Sequence, residues 1–347
     1  FGVSAGASTM GAVSRNYDMK SLNIVMKKKY EDGEIAYPLF GDDGLSTYKS
    51  FVLRNAGNDW EQGSKYRDAA IQQVLRGKVD LETQDFQPVV MYLNGEYWGL
   101  INMRERFGED YFAGYYDYAD DIDLLKYCND SSYNFRAQKG DTKRLGELMT
   151  YLANNSMSDD ANYQYVKNHY IDVDNMINYY IAQLFSQNTD WPTNNMRMWR
   201  PRTENGKFRF PWYDADFGYG LWGGDASTNP WENFDKSGYK KKTSVAMLNY
   251  MLENEEFKAE FVQRFYAMMA TVYQSSIFKS IVNNIENQLS AERSALMDEW
   301  TCTVNGGDSW GYGAGGMKSW ADSRVGHMKD YVNSKFDSKG TTTLNIS

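Results

Sequence analysis

Four side chains in one short interval have the types and spacing to handle a phosphate and a hard cation. Asp190 is followed by Asn195, and Asp214 and Asp216 come soon after in the run WYDADFGYG. Carboxylates and a carboxamide that converge suit Mg²⁺, which takes oxygen ligands and is usually shared with substrate phosphates. A carboxylate next to such a site can also accept the proton of an attacking hydroxyl. The two histidines, His169 and His327, stand alone without clustered Cys or His. A zinc site or a Ser-His-Asp triad is therefore not expected, and a carboxylate is the natural general base.

These groups can meet only if the surrounding elements bring them together. Met176, Ile177, Tyr180, Ile181, Leu184 and Phe185 recur at helical spacing, which predicts a buried helix. It should stop near Ser186–Thr189, because Pro192 disfavours helical geometry for the residue before it. The β-rich runs Asn195–Trp199 and Phe208–Trp212 flank a polar turn with Asn205-Gly206 and predict a hairpin. Antiparallel pairing would set the start of the first run beside the end of the second. Asp190, Asn194 and Asn195 would then lie close to Asp214 and Asp216. Protein kinases use the same order: a catalytic Asp, an Asn five residues on, and a metal-binding Asp followed by Phe-Gly. The competing reading is a capped helix, a hairpin and a solvated acidic turn.

The segments NTDWPTNNMRMWRP and FPWYDADFG resemble the core of the CotH family, the spore-coat protein H kinases. PVVMYLNGEYWGLINMRERF, FVLRNAGNDW and YRDAAIQQVLRG agree, so the resemblance runs from about Gly6 to near Phe336. It implies an atypical protein-kinase-like, two-lobed fold that transfers phosphate from ATP, with Mg²⁺ or Mn²⁺, to protein side chains. Gly6, Ser8 and Thr9 would then form a phosphate-binding turn, with Lys20 neutralising phosphate charge from a strand edge. Ala5 stands where the family usually has Arg. Met103 and Glu105, by analogy with kinases, would lie where backbone groups hold adenine. Arg54, Arg67 and Asp68 match family positions and read most simply as structural ion pairs. The literal D-F-G favours Asp216 as the metal ligand, whereas the family's usual Trp-Asp-x-Asp favours Asp214, displaced here by Tyr213.

The chain has 347 residues, 42% hydrophobic, enough to bury one large core or two lobes. A net charge of −9 argues against nucleic acid or anionic membrane as the main partner. No run approaches the roughly 20 apolar residues of a membrane span. Beginning at Phe1 without a signal peptide, the sequence reads as a processed or trimmed piece, and the resemblance favours an extracytoplasmic or cell-surface location. Cys128 and Cys302 read as free thiols rather than a bridge. Aromatic residues make up 16%, which fits an aromatic core or a contact surface.

In chain order, SLNIVMKKKY and FVLRNAGNDW read as strands, and Lys27–Lys29 as a solvated strand end. Ser64 is a plausible cap for a helix over Lys65–Leu75 that ends at Gly77. Val89–Leu93 and Tyr97–Met103 flank Asn94-Gly95, the dipeptide of type I′ hairpins. Beyond residue 106 the composition turns from strand to helix, which divides the chain into a sheet-rich part (1–106) and a helical part (107–347). Asp117–Asp123 reads as a solvated, partly helical run, TCTVNGGDSWGYGAGG as a loop, and GTTTLNIS as a β-prone lead into a further domain. Lys240, Lys241 and Lys242 could attract an acidic substrate. The fold class is α+β. The activity expected is ATP- and metal-dependent phosphoryl transfer to Ser or Thr of a protein substrate, with Asp190 as base and Asn195, Asp214 and Asp216 as metal ligands. Two other classes fit the same residues: a non-catalytic surface adhesin or binding module, and a metal-dependent hydrolase built on Asp190, Asp214 and Asp216.

Overall fold

The computed structural model describes residues 2–116, 121–300, 303–304 and 307–338. Cys302 and part of the Asp117–Asp123 run lie outside them. The first third builds an antiparallel sheet in the order β1-β2-β3-β5-β4, from β1 (Gly6–Met10), β2 (Ser21–Val25), β3 (Ser50–Arg54), β4 (Phe86–Leu93) and β5 (Glu96–Glu105). Asn94 and Gly95 both take positive φ, 52° and 87°, as the expected type I′ turn requires. Between β3 and β4 lie α1 (Asp59–Gln62) and α2 (Arg67–Gln73). Ser64 does not cap α2. Its hydroxyl donates to Asp59 Oδ2 at 2.9 Å, and the same carboxylate takes Arg67 Nε at 2.9 Å, so the helix begins only at Arg67.

The rest of the chain is mainly helical but contains a second sheet that composition did not reveal. After α3 (Glu109–Tyr115) come β6 (Ile122–Tyr127) and β7 (Phe135–Lys139), and β8 (Arg197–Pro201) pairs with β6, giving the order β7-β6-β8. Asp123 is therefore not solvated. It is buried in β6 and accepts from Arg200 at 2.7 Å and Arg202 at 2.8 Å. The helices α4 (Lys143–Asn154), α5 (Asp160–His169) and α6 (Val173–Ser186) follow, then α7 (Pro230–Phe234), α8 (Thr243–Met251), α9 (Glu255–Ala270), α10 (Ser275–Leu289) and α11 (Arg293–Trp300). The short pair β9 (Thr303–Val304) and β10 (Gly307–Asp308) leads into α12 (Ser309–Phe336). Gly311–Gly316, expected as loop, are thus helical. Among the described residues no helix is long and apolar enough to cross a membrane.

The central helix is α6, buried from Val173 to Ser186 except at Asp174. It ends where expected, with Gln187 in the left-handed region (φ 51°). Helix ends leave carbonyls without partners, and here Arg324 of α12 supplies them. Its guanidinium is buried and donates to Phe185 O at 2.9 Å, Leu184 O at 3.0 Å, Ala226 O at 2.7 Å and Thr228 O at 2.8 Å. Replacing Arg324 by Leu orphans several buried carbonyls, each costing about 1–3 kcal/mol. The expected result is a clear drop in the urea midpoint, and an unchanged midpoint would show that water can replace the clamp.

Candidate active site

The segment after α6 is anchored on both sides of Asp190. Asn188 Nδ2 donates to Gln183 Oε1 at 3.0 Å, while Asn188 Oδ1 accepts the Asp190 N–H at 3.2 Å. Trp191 is buried and stacks on Phe234, and Ser244 Oγ donates to Pro192 O at 2.7 Å. Asp190 itself points one oxygen, Oδ2, at two carboxamides: Asn194 Nδ2 at 2.9 Å and Asn195 Nδ2 at 2.7 Å. Asn195 spends its donor on Asp190, which leaves its carboxamide oxygen as an acceptor.

The approach to Asp214 differs from the expected hairpin. Phe208–Trp212 touches β8 through one antiparallel bridge, Trp199 with Arg209, with N–H to O distances of 3.0 and 2.9 Å. The other backbone groups of this run go elsewhere. Phe208 N–H donates to Tyr170 O, Phe210 N–H to Asn175 Oδ1, and Trp212 N–H to Glu82 O. Arg209 adds buried anchorage, with Nε 2.6 Å from Glu82 Oε1 and a second contact to Asp172 at 2.5 Å. The hairpin is thus reduced to one rung; burial, and then the charge of Asp214, raise the Asp190 carboxyl.

Asp214 and Asp216 share one cation, Arg54 at the end of β3. Its guanidinium contacts Asp214 Oδ1, lies 3.3 Å from Asp216 Oδ2 and reaches Asp68 Oδ2 at 3.5 Å. Asp68, on α2, is also held by Arg104 at 2.6 Å and accepts the Ala215 N–H at 2.7 Å. Arg54, Arg67 and Asp68 were expected in structural ion pairs without assigned partners; Arg54 and Asp68 pair with each other, and Arg67 pairs with Asp59. The continuation of the Arg54 pair to both acidic positions was not expected, and it makes Arg54 the central cation of the site. The neighbouring loop closes over the same group: Asn58 N–H donates to Asp216 Oδ2 at 2.8 Å. Gly57, at φ 65°, leaves no room for a side chain, since a Cβ there would lie 2.5 Å from Asp216 Oδ2.

The electrostatics follow from burial. Asp216 is fully buried, and its Oδ1 has no hydrogen-bond partner. Burial, and then Asp214, push its carboxyl up to about 7, with Arg54 working the other way. Burial and Asp214 likewise raise Asp190. Burial would also raise Asp68, but Arg104 and Arg54 outweigh it and hold the group down to about 2. Asn195 and Asp214 both sit at positive φ, 49° and 57°, an uncommon state for residues other than glycine. Among the described residues no group of three or more His, Cys, Asp or Glu side chains forms a ready-made cation cage. An orphaned buried carboxylate oxygen beside a second carboxylate nevertheless fits a Mg²⁺ that keeps phosphate and water ligands.

The remaining expected site residues lie apart from this cluster or are engaged otherwise. Gly6, Ser8 and Thr9 form no turn. They belong to the edge strand β1, paired with Val25, Asn23 and Leu22. Lys20 Nζ donates to the carbonyls of Arg15 (2.9 Å) and Tyr17 (2.5 Å). Its neighbour Met19 is nevertheless tied to the site's loop, because Asn55 Nδ2 donates to Met19 O at 2.7 Å. Met103 and Glu105 are buried residues of β5, Glu105 at its end, rather than a free connecting segment. The Met103 side chain packs with Met26, Ile35, Phe40 and Tyr48. Glu105 accepts from Tyr115 Oη at 2.6 Å and from the Asp85 N–H at 2.8 Å, and its own N–H goes to Asp85 O. Cys128 is a free thiol that donates to Asp130 Oδ1.

With this geometry established, a comparison with protein-family models finds one described as CotH kinase protein, matching residues 7–335. No curated protein matches the chain.

Proposed function

The chain belongs to the CotH kinase family, and from that membership and the site around Asp190 we propose that it transfers the γ-phosphoryl group of ATP to Ser or Thr hydroxyls of a protein substrate. The observation that carries the reading is Asp190, oriented by two carboxamides beside a carboxylate pair with one orphaned oxygen. Asp190 takes the proton of the acceptor hydroxyl as the new O–P bond forms and the bond to the ADP oxygen breaks. Its raised pKa makes it a stronger base than an exposed carboxylate, while its hydrogen bonds fix the direction of attack. Asp214, Asp216 and the Asn195 carboxamide oxygen would hold Mg²⁺ or Mn²⁺. When bound, such a cation would supply positive charge against the charge that develops on the phosphates. Arg54 keeps the two carboxylates together and, through Asp68, ties them to α2.

In this reading residues 1–106 act as a sheet-rich lobe, 107–347 as a helical lobe, and the cleft between them takes the nucleotide. Gly6, Ser8, Thr9 and Lys20 would reach phosphate from the β1–β2 edge, and Met103 and Glu105 would border adenine, only with side-chain rearrangement. Arg54 lies closer to the carboxylate pair than any of these, but its guanidinium is held by Asp214, Asp216 and Asp68. An extracytoplasmic setting goes with the family. Incubation with ATP and Mg²⁺ or Mn²⁺ tests the proposal: ADP and phosphoserine or phosphothreonine on protein are the expected products. ADP and free phosphate alone would identify a hydrolase. If ATP and metal do not stabilise the fold, a binding module takes its place.

A further inference from the structure

Three cations stand in a row across the second sheet. In the register of β7-β6-β8, Lys126 lies directly opposite Arg197 on one side and Arg136 on the other. Directly opposed residues share a face of a sheet, and like charges so placed repel. Among the described residues none of the three forms an ion pair with a carboxylate, whereas the next acidic residue along β6, Asp123, is paired twice. Arg197 marks the inner end: its Nη1 donates to Phe107 O at 2.8 Å and its guanidinium lies 4.7 Å from the Tyr213 ring, next to Asp214. Arg136 is exposed on the edge strand β7 and marks the outer end. The Asp130 carboxylate accepts from the Cys128 thiol and meets Arg136 only through space, without an ion pair. Beyond the hairpin tip, Lys242 Nζ donates to Asn129 Oδ1 at 2.9 Å, which brings the segment carrying exposed Lys240 and Lys241 to the same hairpin.

A chain of net charge −9 has carboxylates to spare, yet among the described residues none closes an ion pair with this row, while Asp123 on the same strand is paired twice. We propose that the row Arg197–Lys126–Arg136 recognises acidic side chains flanking the acceptor hydroxyl, so that the substrate is an acidic Ser- or Thr-bearing segment. This rests on the kinase reading and names its substrate class. Adjacent strands lie about 4.8 Å apart, so the row spans about 10 Å, the length of three extended residues. That suits a peptide crossing from the edge toward Asp190 better than a triphosphate, which a cation held by Asp214, Asp216 and Asn195 would serve.

The test uses a fluorescent peptide with serine flanked by aspartates, and its asparagine counterpart. Binding is read by anisotropy, which needs no turnover, and ATP–Mg²⁺ stabilisation is measured on the same samples. Wild type should bind the aspartate peptide about tenfold more tightly at low salt, with the preference shrinking as salt screens it. Arg136→Glu, at an exposed edge, and Lys126→Gln should each lose most of that preference while the KM for ATP moves less than about twofold. Equal binding of both peptides by wild type, with ATP stabilisation intact, overturns the inference and leaves the kinase reading standing. A rise in the ATP KM with the peptide preference unchanged assigns the row to the nucleotide and also overturns it. Loss of ATP stabilisation in wild type defeats the kinase reading instead.

Discussion

Asp190→Asn is expected to bind ATP with Mg²⁺ as wild type does and to transfer phosphate about 10²–10⁴-fold more slowly. The asparagine keeps the shape of the side chain and an oxygen that can accept from Asn194 and Asn195, so the loop keeps its geometry. The substitution removes only the basicity. Because Asp190 is not assigned to the cation, thermal stabilisation by ATP–Mg²⁺ should persist. It could even strengthen, since a negative charge facing Asp214 is gone. Turnover within about tenfold of wild type would mean that the acceptor proton leaves by another route, and Asp190 would then be a positioning residue. Joint loss of binding and turnover would move Asp190 into the metal site.

Much of this site could be read from the sequence because its parts are local. The helix over Met176–Phe185 announces itself by period, its stop by Pro192, and the Asp190–Asn195 spacing by simple count. The expected approach of Asp214 to Asp190 rested on a hairpin that forms only in part. A hairpin was expected, but only the Trp199–Arg209 rung forms, and loop 80–85 and the end of α5 do the rest. Those partners are distant in sequence and carry no local signal. Arg54 shows the same limit. An arginine at a strand end looks like an ordinary ion-pair partner until the fold sets Asp214 and Asp216, 160 and 162 residues away, against its guanidinium. The cation row was invisible for a related reason, because strand register alone puts Arg136, Lys126 and Arg197 side by side. Asp123 misled in the opposite direction: it sits in an acidic, hydrophilic run, yet β6 buries it against two arginines. Ser64 looked like a helix cap by residue type, but Asp59 competes for its hydroxyl and wins.

Asp216→Asn should make the metal-free protein more stable above neutral pH and abolish its response to ATP–Mg²⁺. Folding places the carboxyl in full burial beside Asp214 and pushes it up to about 7, from about 3.9 in an unfolded chain. The folded state therefore binds a proton more tightly than the unfolded one. That contribution is fully present below about pH 4 and is lost as pH rises through about 7. Above that pH the wild type carries an extra buried negative charge with an unpartnered Oδ1, offset only in part by Arg54 and the Asn58 N–H. Asparagine is neutral throughout and can still accept from Asn58. Its advantage at pH 8 is on the order of 2–4 kcal/mol at most. A divalent cation competes with that proton, so ATP–Mg²⁺ stabilisation of wild type should grow from pH 5 to pH 8. The variant lacks the carboxylate and should show little at any pH. Melting curves over that range, with and without ATP–Mg²⁺, check both halves. A variant less stable than wild type at pH 8 would show that Arg54 fully compensates the buried charge. Retained metal-dependent stabilisation would leave Asp214 and Asn195 as sufficient ligands and return Asp216 to a structural role.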